Sequence, residues 1–187
     1  MATKIYIDQG HNPQNPNAGA EGNGYREQDL VYAVGIALAE RLRAEGYDVL
    51  LSRPTPETQL GTSNATALAA RVEEANRFGA DYFLSLHANA SELSSASGVE
   101  GLVYRVDSVA GDLARDMVNS LANVTGLPNR GVTPRTNLYV LKRTKMPAVL
   151  LELGFITNPG DAALLADAPA LFAEGIAEGL NLFLSGN

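Results

Sequence analysis

Short apolar runs alternate along this chain with longer segments whose apolar side chains recur at helical spacing, and such alternation restricts it to a sheet covered by helices. Residues 4–8, 47–52, 81–86, 99–106, 138–141 and 148–153 have strand character. Between them, residues 26–45 place Leu30, Val34, Leu38 and Leu42 on one helical face and end at Gly46, and residues 64–78 carry Leu68, Val72 and Ala75 ahead of Gly79. Leu113, Met117 and Leu121 mark a third helix that stops at Gly126, and residues 161–184 are helical with a break near Pro169. The expected fold is therefore α/β, a three-layer arrangement with helices on both faces of a mainly parallel sheet. Residues 12–24 form a Gly, Asn and Pro-rich loop, 54–62 are turn-like, and 88–98 form a Ser and Ala-rich surface loop. No repeat or composition boundary interrupts the 187 residues, so one domain is expected over 1–187.

Composition narrows the function. Asp and Glu outnumber Lys and Arg by 21 to 14, which leaves no basic field to attract nucleic acid or an anionic membrane. There is no cysteine, so thiol nucleophiles, disulfides and thiolate metal ligands are all excluded, and His, Asp and Glu are the remaining ligands for a transition metal. No apolar run approaches the roughly 20 residues of a membrane helix, and the start lacks a secretory apolar core. A soluble chain with no signal peptide is expected. Gly19, Gly22 and Gly24 have the wrong spacing for a dinucleotide-binding turn, and no phosphate loop or Gly-x-Ser-x-Gly signature is present.

The chain has two histidines, and each follows an apolar strand: Ile5-Tyr6-Ile7-Asp8-Gln9-Gly10-His11 and Tyr82-Phe83-Leu84-Ser85-Leu86-His87. Ligands bind at the carboxyl edge of open α/β sheets, so both imidazoles are expected at one rim. One such histidine is more often an ordinary turn or core residue; two favour a metal site. Glu27, in the first turn of the helix carrying Leu30, is the natural third ligand, although acids at helix starts are common for reasons of the helix dipole alone. Glu152 is a single acid in the apolar strand Ala148-Val149-Leu150-Leu151-Glu152-Leu153. Burial of a carboxylate must be compensated, either by a metal-bound water or by a salt bridge to Lys142 or Arg143. Asp8 is either an acceptor behind the first histidine or a turn former.

Asp8-Gln9-Gly10-His11, Glu27 before a helix, Leu68-Ala69-Ala70-Arg71 leading to Ala75-Asn76, Ser85-Leu86-His87-Ala88-Asn89, Asn129-Arg130-Gly131-Val132 and Glu152-Leu153-Gly154-Phe155-Ile156-Thr157-Asn158 resemble the zinc-dependent N-acetylmuramoyl-L-alanine amidases of the amidase_3 type. The resemblance runs from near Ile5 to near Leu184. It implies a twisted, mainly parallel six-stranded sheet, one Zn²⁺ held by His11, Glu27 and His87, and Glu152 as catalytic acid/base. It also implies peptidoglycan as substrate, cut at the amide between the N-acetylmuramic acid lactyl group and L-alanine, with the enzyme acting at the bacterial cell wall. Gln9 stands where the family usually has Pro, and Asn12-Pro13 replaces Gly-Gly, so the loop to Gly24 is expected to take its own path. No substrate-binding residue is assigned.

Two other functions fit the same residues: a zinc peptidase of related fold, and a non-catalytic cell-wall-binding module. The second would be expected to have lost a ligand or the acid, and all four positions are filled. Between His87 and the strand at Val99 there is no room for a helical plug over the site. An open site with no obligatory activator is therefore expected, in a catalytic domain without a cell-wall-binding domain.

Overall fold

The computed structural model describes residues 2–186. In chain order the elements are β1 (Lys4–Gln9), β2 (Glu21–Gly22), β3 (Tyr25–Arg26), α1 (Glu27–Ala44), β4 (Asp48–Leu51), α2 (Asn64–Phe78), β5 (Tyr82–Asn89), β6 (Val99–Val103), α3 (Val109–Thr125), β7 (Asn129–Pro134), α4 (Tyr139–Arg143), β8 (Ala148–Phe155), α5 (Pro159–Asp167) and α6 (Pro169–Ser185). Six strands form one sheet in the order β4-β1-β5-β8-β6-β7, and β2 and β3 pair as a separate small hairpin. Neighbours are parallel except β6 and β8, so the β6–β7 pair runs against the other four.

Both faces of the sheet are covered, as a mainly parallel sheet requires. Strand alternation divides the core: Ile5 and Ile7 join the cluster formed with α1, α3 and α6, whereas Tyr6 between them joins Phe83, Leu102 and Leu150 against α2 and α4. Helix ends follow local chemistry. Ser63 caps α2 in a reciprocal box with Thr66, Gly79 closes it at φ 68°, and Asn158 caps α5, where Pro159 fills the first turn.

The expected sheet is present, with one strand exchanged. The apolar run at residues 138–141 is not a strand: Leu138 sits at the N-cap of α4, and Val140 and Leu141 turn inward onto the α2 side of the core. A four-residue apolar run has no period that separates strand from helix. The sixth strand is instead β7, a polar edge segment with Gly131 inside it and Pro134 at its end, composition that edge strands tolerate and that hides them in sequence. The strand expected at 81–86 continues to Asn89, which places His87 within β5. Only residues 90–98 join β5 to β6 and only 104–108 join β6 to α3, and neither connection contains a helix.

Candidate functional site

Three chain segments meet at the carboxyl ends of β1 and β5. β1 ends at Gln9, Gly10 passes so close to β5 that a Cβ there would lie 2.5 Å from His87 Cε1, and the chain then turns at His11. Glu27 begins α1 on the other face of the sheet and reaches the same point. Glu27 Oε1 lies 3.1 Å from His11 Nε2 and 3.1 Å from His87 Nδ1, and the three side chains offer ligand atoms all within 4.8 Å of one another. The carboxylate is fixed by backbone donors, Ala20 N–H to Oε2 at 2.9 Å and Ala88 N–H to Oε1 at 3.1 Å. The helix-start reading of Glu27 thus gives way to a carboxylate aimed at both imidazoles.

These donors suit a metal ion. Two imidazoles and one carboxylate are nitrogen and oxygen donors of the kind that hold a divalent transition metal, and one ligand atom from each lies within 4.8 Å of the other two. Both histidine side chains are about one-fifth exposed, at 22% and 19%, which leaves an open side for water or substrate. The electrostatics favour a cation. Burial alone would raise the pKa of Glu27, but its hydrogen bonds with His11 and His87 outweigh burial and hold it well below the usual carboxylate range. Burial opposes a charge on His87, yet the hydrogen bond to Glu27 and the charges of Glu27, Glu152 and Asp8 hold its pKa up.

Glu152 projects from β8 directly opposite His87 on β5, and opposite Glu100 on β6. No ion pair with Lys142 or Arg143 forms, and its Oε2 is buried without a hydrogen-bond partner. Burial pushes its pKa up to about 7, with Glu27 and Glu100 adding to the rise while His87 and Arg135 oppose it. A carboxyl poised there exchanges a proton near neutrality.

Asp8 is neither a partner of the His11 ring nor a simple turn former. It is buried, paired with the equally buried Arg71, and accepts a hydrogen bond from Ser85 Oγ at 2.7 Å. Sequence gives Arg71, Ser85 and Glu100 no role at the site, because helix packing brings Arg71 there from α2 and sheet pairing brings Ser85 and Glu100 there from β5 and β6; Glu100 itself accepts from Thr133 Oγ1 at 2.7 Å. An apolar cavity of about 110 Å³ lies beside the two histidines, walled by Leu68, Leu138, Tyr139, Val140 and Leu150.

An α/β sheet with a His-Glu-His group at its carboxyl edge and a buried, proton-exchanging acid on the adjoining strand defines a candidate metal-dependent hydrolase. The chain belongs to the Amidase_3 family of N-acetylmuramoyl-L-alanine amidases, whose model matches residues 5–181. It is 35% identical over 179 residues to the N-acetylmuramoyl-L-alanine amidase CwlM of Bacillus licheniformis, covering 94% of this chain and 65% of that protein. To the N-acetylmuramoyl-L-alanine amidase LytC of Bacillus subtilis it is 38% identical over 168 residues, covering 88% of this chain and 32% of that one. This chain therefore spans less than two thirds of either relative. Among solved structures, the catalytic domain of CwlV, an N-acetylmuramoyl-L-alanine amidase from Bacillus (Paenibacillus) polymyxa var. colistinus, superposes with a TM-score of 0.85 at 32% identity over 99% of both chains. The CwlD amidase from Clostridioides difficile, solved in complex with the GerS lipoprotein, gives a TM-score of 0.87 at 25% identity over 99% of this chain and 100% of that one.

Proposed function

We propose that this chain is a catalytic domain that hydrolyses peptidoglycan at the amide between the lactyl group of N-acetylmuramic acid and L-alanine, using one zinc ion held by His11, Glu27 and His87. The observation that carries the reading is the placement of Glu152 across from His87, beside two imidazoles gathered on the Glu27 carboxylate. Bound there, zinc supplies Lewis-acid polarisation of the amide carbonyl and acidification of water. The chain supplies the rest. Glu27, locked by the Ala20 and Ala88 amides, keeps both imidazoles facing one point. Glu152, unpaired and near neutrality, takes the proton of the attacking water and delivers it to the departing alanine nitrogen.

Family membership favours this bond over a peptide bond, and the filled acid position favours catalysis over binding alone. The site of action is the bacterial cell wall. Among the described residues no helix is long and apolar enough to cross a membrane. No helix stands between β5 and β6 or between β6 and α3, so we read the site as open and competent without an activator. Purified protein incubated with a defined muramoyl peptide tests the reading by mass analysis. Release of an intact stem peptide with a free L-alanine amine, abolished by a chelator and restored by Zn²⁺, is expected without any partner protein. Cleavage between two amino acids would instead identify a peptidase, and an absolute need for a second protein would refute the open site.

A further inference from the structure

We propose that Arg71 is a positioning residue for the metal site: it holds the backbone of His11 directly and, through Asp8 and Ser85, ties that turn to the strand bearing His87. The inference rests on the metal-site reading above and adds a residue to it.

His11 adopts φ 65°, an uncommon conformation for a residue other than glycine, so its surroundings must hold it there. Arg71, on α2 and 1% exposed, does so with a buried fork. Its Nη2 donates to the His11 carbonyl at 2.6 Å, and its Nη1 donates to the Gln9 carbonyl at 2.8 Å and to Asp8 Oδ1. The chain on either side of Gly10 is thereby pinned to one guanidinium. Asp8 turns its other oxygen to Ser85 Oγ, 2.7 Å away, and Ser85 lies two residues before His87 on the same face of β5. Asn12 completes the turn: its N–H donates to the Asn17 carbonyl at 2.8 Å, and its side-chain amide donates to the Pro16 and Leu60 carbonyls at 2.9 and 2.8 Å.

A buried ion pair is weak evidence for stability, because apolar residues of similar volume often serve a core as well. What apolar residues cannot do is hold two backbone carbonyls in a fixed relation, and a planar fork can. The charge argument agrees. A lone buried cation beside a cation-binding site would repel the metal, whereas Arg71 neutralised by Asp8 contributes geometry without net charge. The groups behind ligands commonly set metal affinity in this way.

The test compares wild type with Arg71→Met, Arg71→Lys, Ser85→Ala and the distant core variant Leu180→Ala. Zinc affinity is measured by competition with a chromophoric chelator, the visible spectrum is recorded with Co²⁺ in place of zinc, and the melting temperature is measured for each metal-free protein. Arg71→Met is expected to bind zinc about 10- to 100-fold more weakly with an altered Co²⁺ spectrum, as losses of supporting groups typically do. Arg71→Lys keeps the charge but cannot bridge Asp8 and the His11 carbonyl together, so it falls between wild type and Arg71→Met. Leu180→Ala lowers the melting temperature while its zinc affinity, measured where all proteins are folded, stays that of wild type. If Arg71→Met does not fold, Arg71→Lys and Ser85→Ala carry the test, both weakened. Unchanged affinity and spectrum in the folded Arg71 variants overturn the proposal alone. A wild type that binds no zinc overturns it together with the metal-site reading.

Discussion

Glu152 and His87 are direct partners in the register of β5 and β8, so the acid and one of the three gathered donors share a face of the sheet on adjacent strands. Their spacing is fixed by backbone pairing rather than by a side-chain contact. Glu152 Oε2 is buried without a hydrogen-bond partner, so no neighbouring side chain holds its proton or its charge in place.

This relationship separates metal binding from proton transfer. Glu152→Gln keeps the shape of the site and removes the base, so muramoyl-peptide hydrolysis should fall by about 10²–10⁴. Metal analysis of the purified variant should still find one zinc per chain. Loss of zinc with turnover intact would exclude the assigned role.

The same residue makes a signed prediction about stability in the metal-free protein. Burial raises the Glu152 pKa from 4.5 to about 7, so the folded state favours the neutral form. Its contribution is fully present below about 4.5 and is lost as pH rises through about 7. Glu152→Gln cannot ionise. Chemical denaturation of both proteins, freed of metal, should show the variant gaining on wild type between pH 5 and pH 8. Parallel stabilities across that range would contradict the buried, uncompensated acid.

His87→Ala and His11→Ala each remove a neutral nitrogen donor from a group of three. Zinc retained after dialysis should drop to a small fraction of the wild-type content in both, with the circular dichroism of the α/β fold preserved. A variant that keeps its zinc would reassign the ligand.

Away from the site, α6 packs against α3 through Gly179, where a Cβ would come within 2.4 Å of Met117 Cα. Backbone cannot yield there as a side chain can. Gly179→Ala should cost roughly 1–3 kcal/mol in urea unfolding and leave zinc affinity unaltered. A neutral effect would mean that the two helices can separate without penalty.

Much of this architecture was legible because its signals are local. Leu30, Val34, Leu38 and Leu42 repeat on one helical face, and the apolar runs around Ile5 and Leu84 have strand length, so α1, β1 and β5 follow from periodicity. The two histidines stand out because each ends such a run. What stayed hidden depends on pairing between distant segments. β7 is polar and contains Gly131, and only its hydrogen bonds to β6 make it a strand. Leu138 to Leu141 is apolar enough for a strand, and tertiary packing makes most of it α4. The Asp8, Arg71 and Ser85 network joins residues 63 and 77 positions apart, which no spacing rule links.

The central claim concerns which bond is cut and by what, and it is tested most directly by hydrolysis of a defined muramoyl peptide in heavy-oxygen water with zinc-loaded protein. Water-mediated cleavage at the lactyl amide places one heavy oxygen in the carboxylate of N-acetylmuramic acid and none in the released stem peptide. Label in a peptide carboxylate, or intact substrate after incubation with the zinc-loaded protein, would contradict the account.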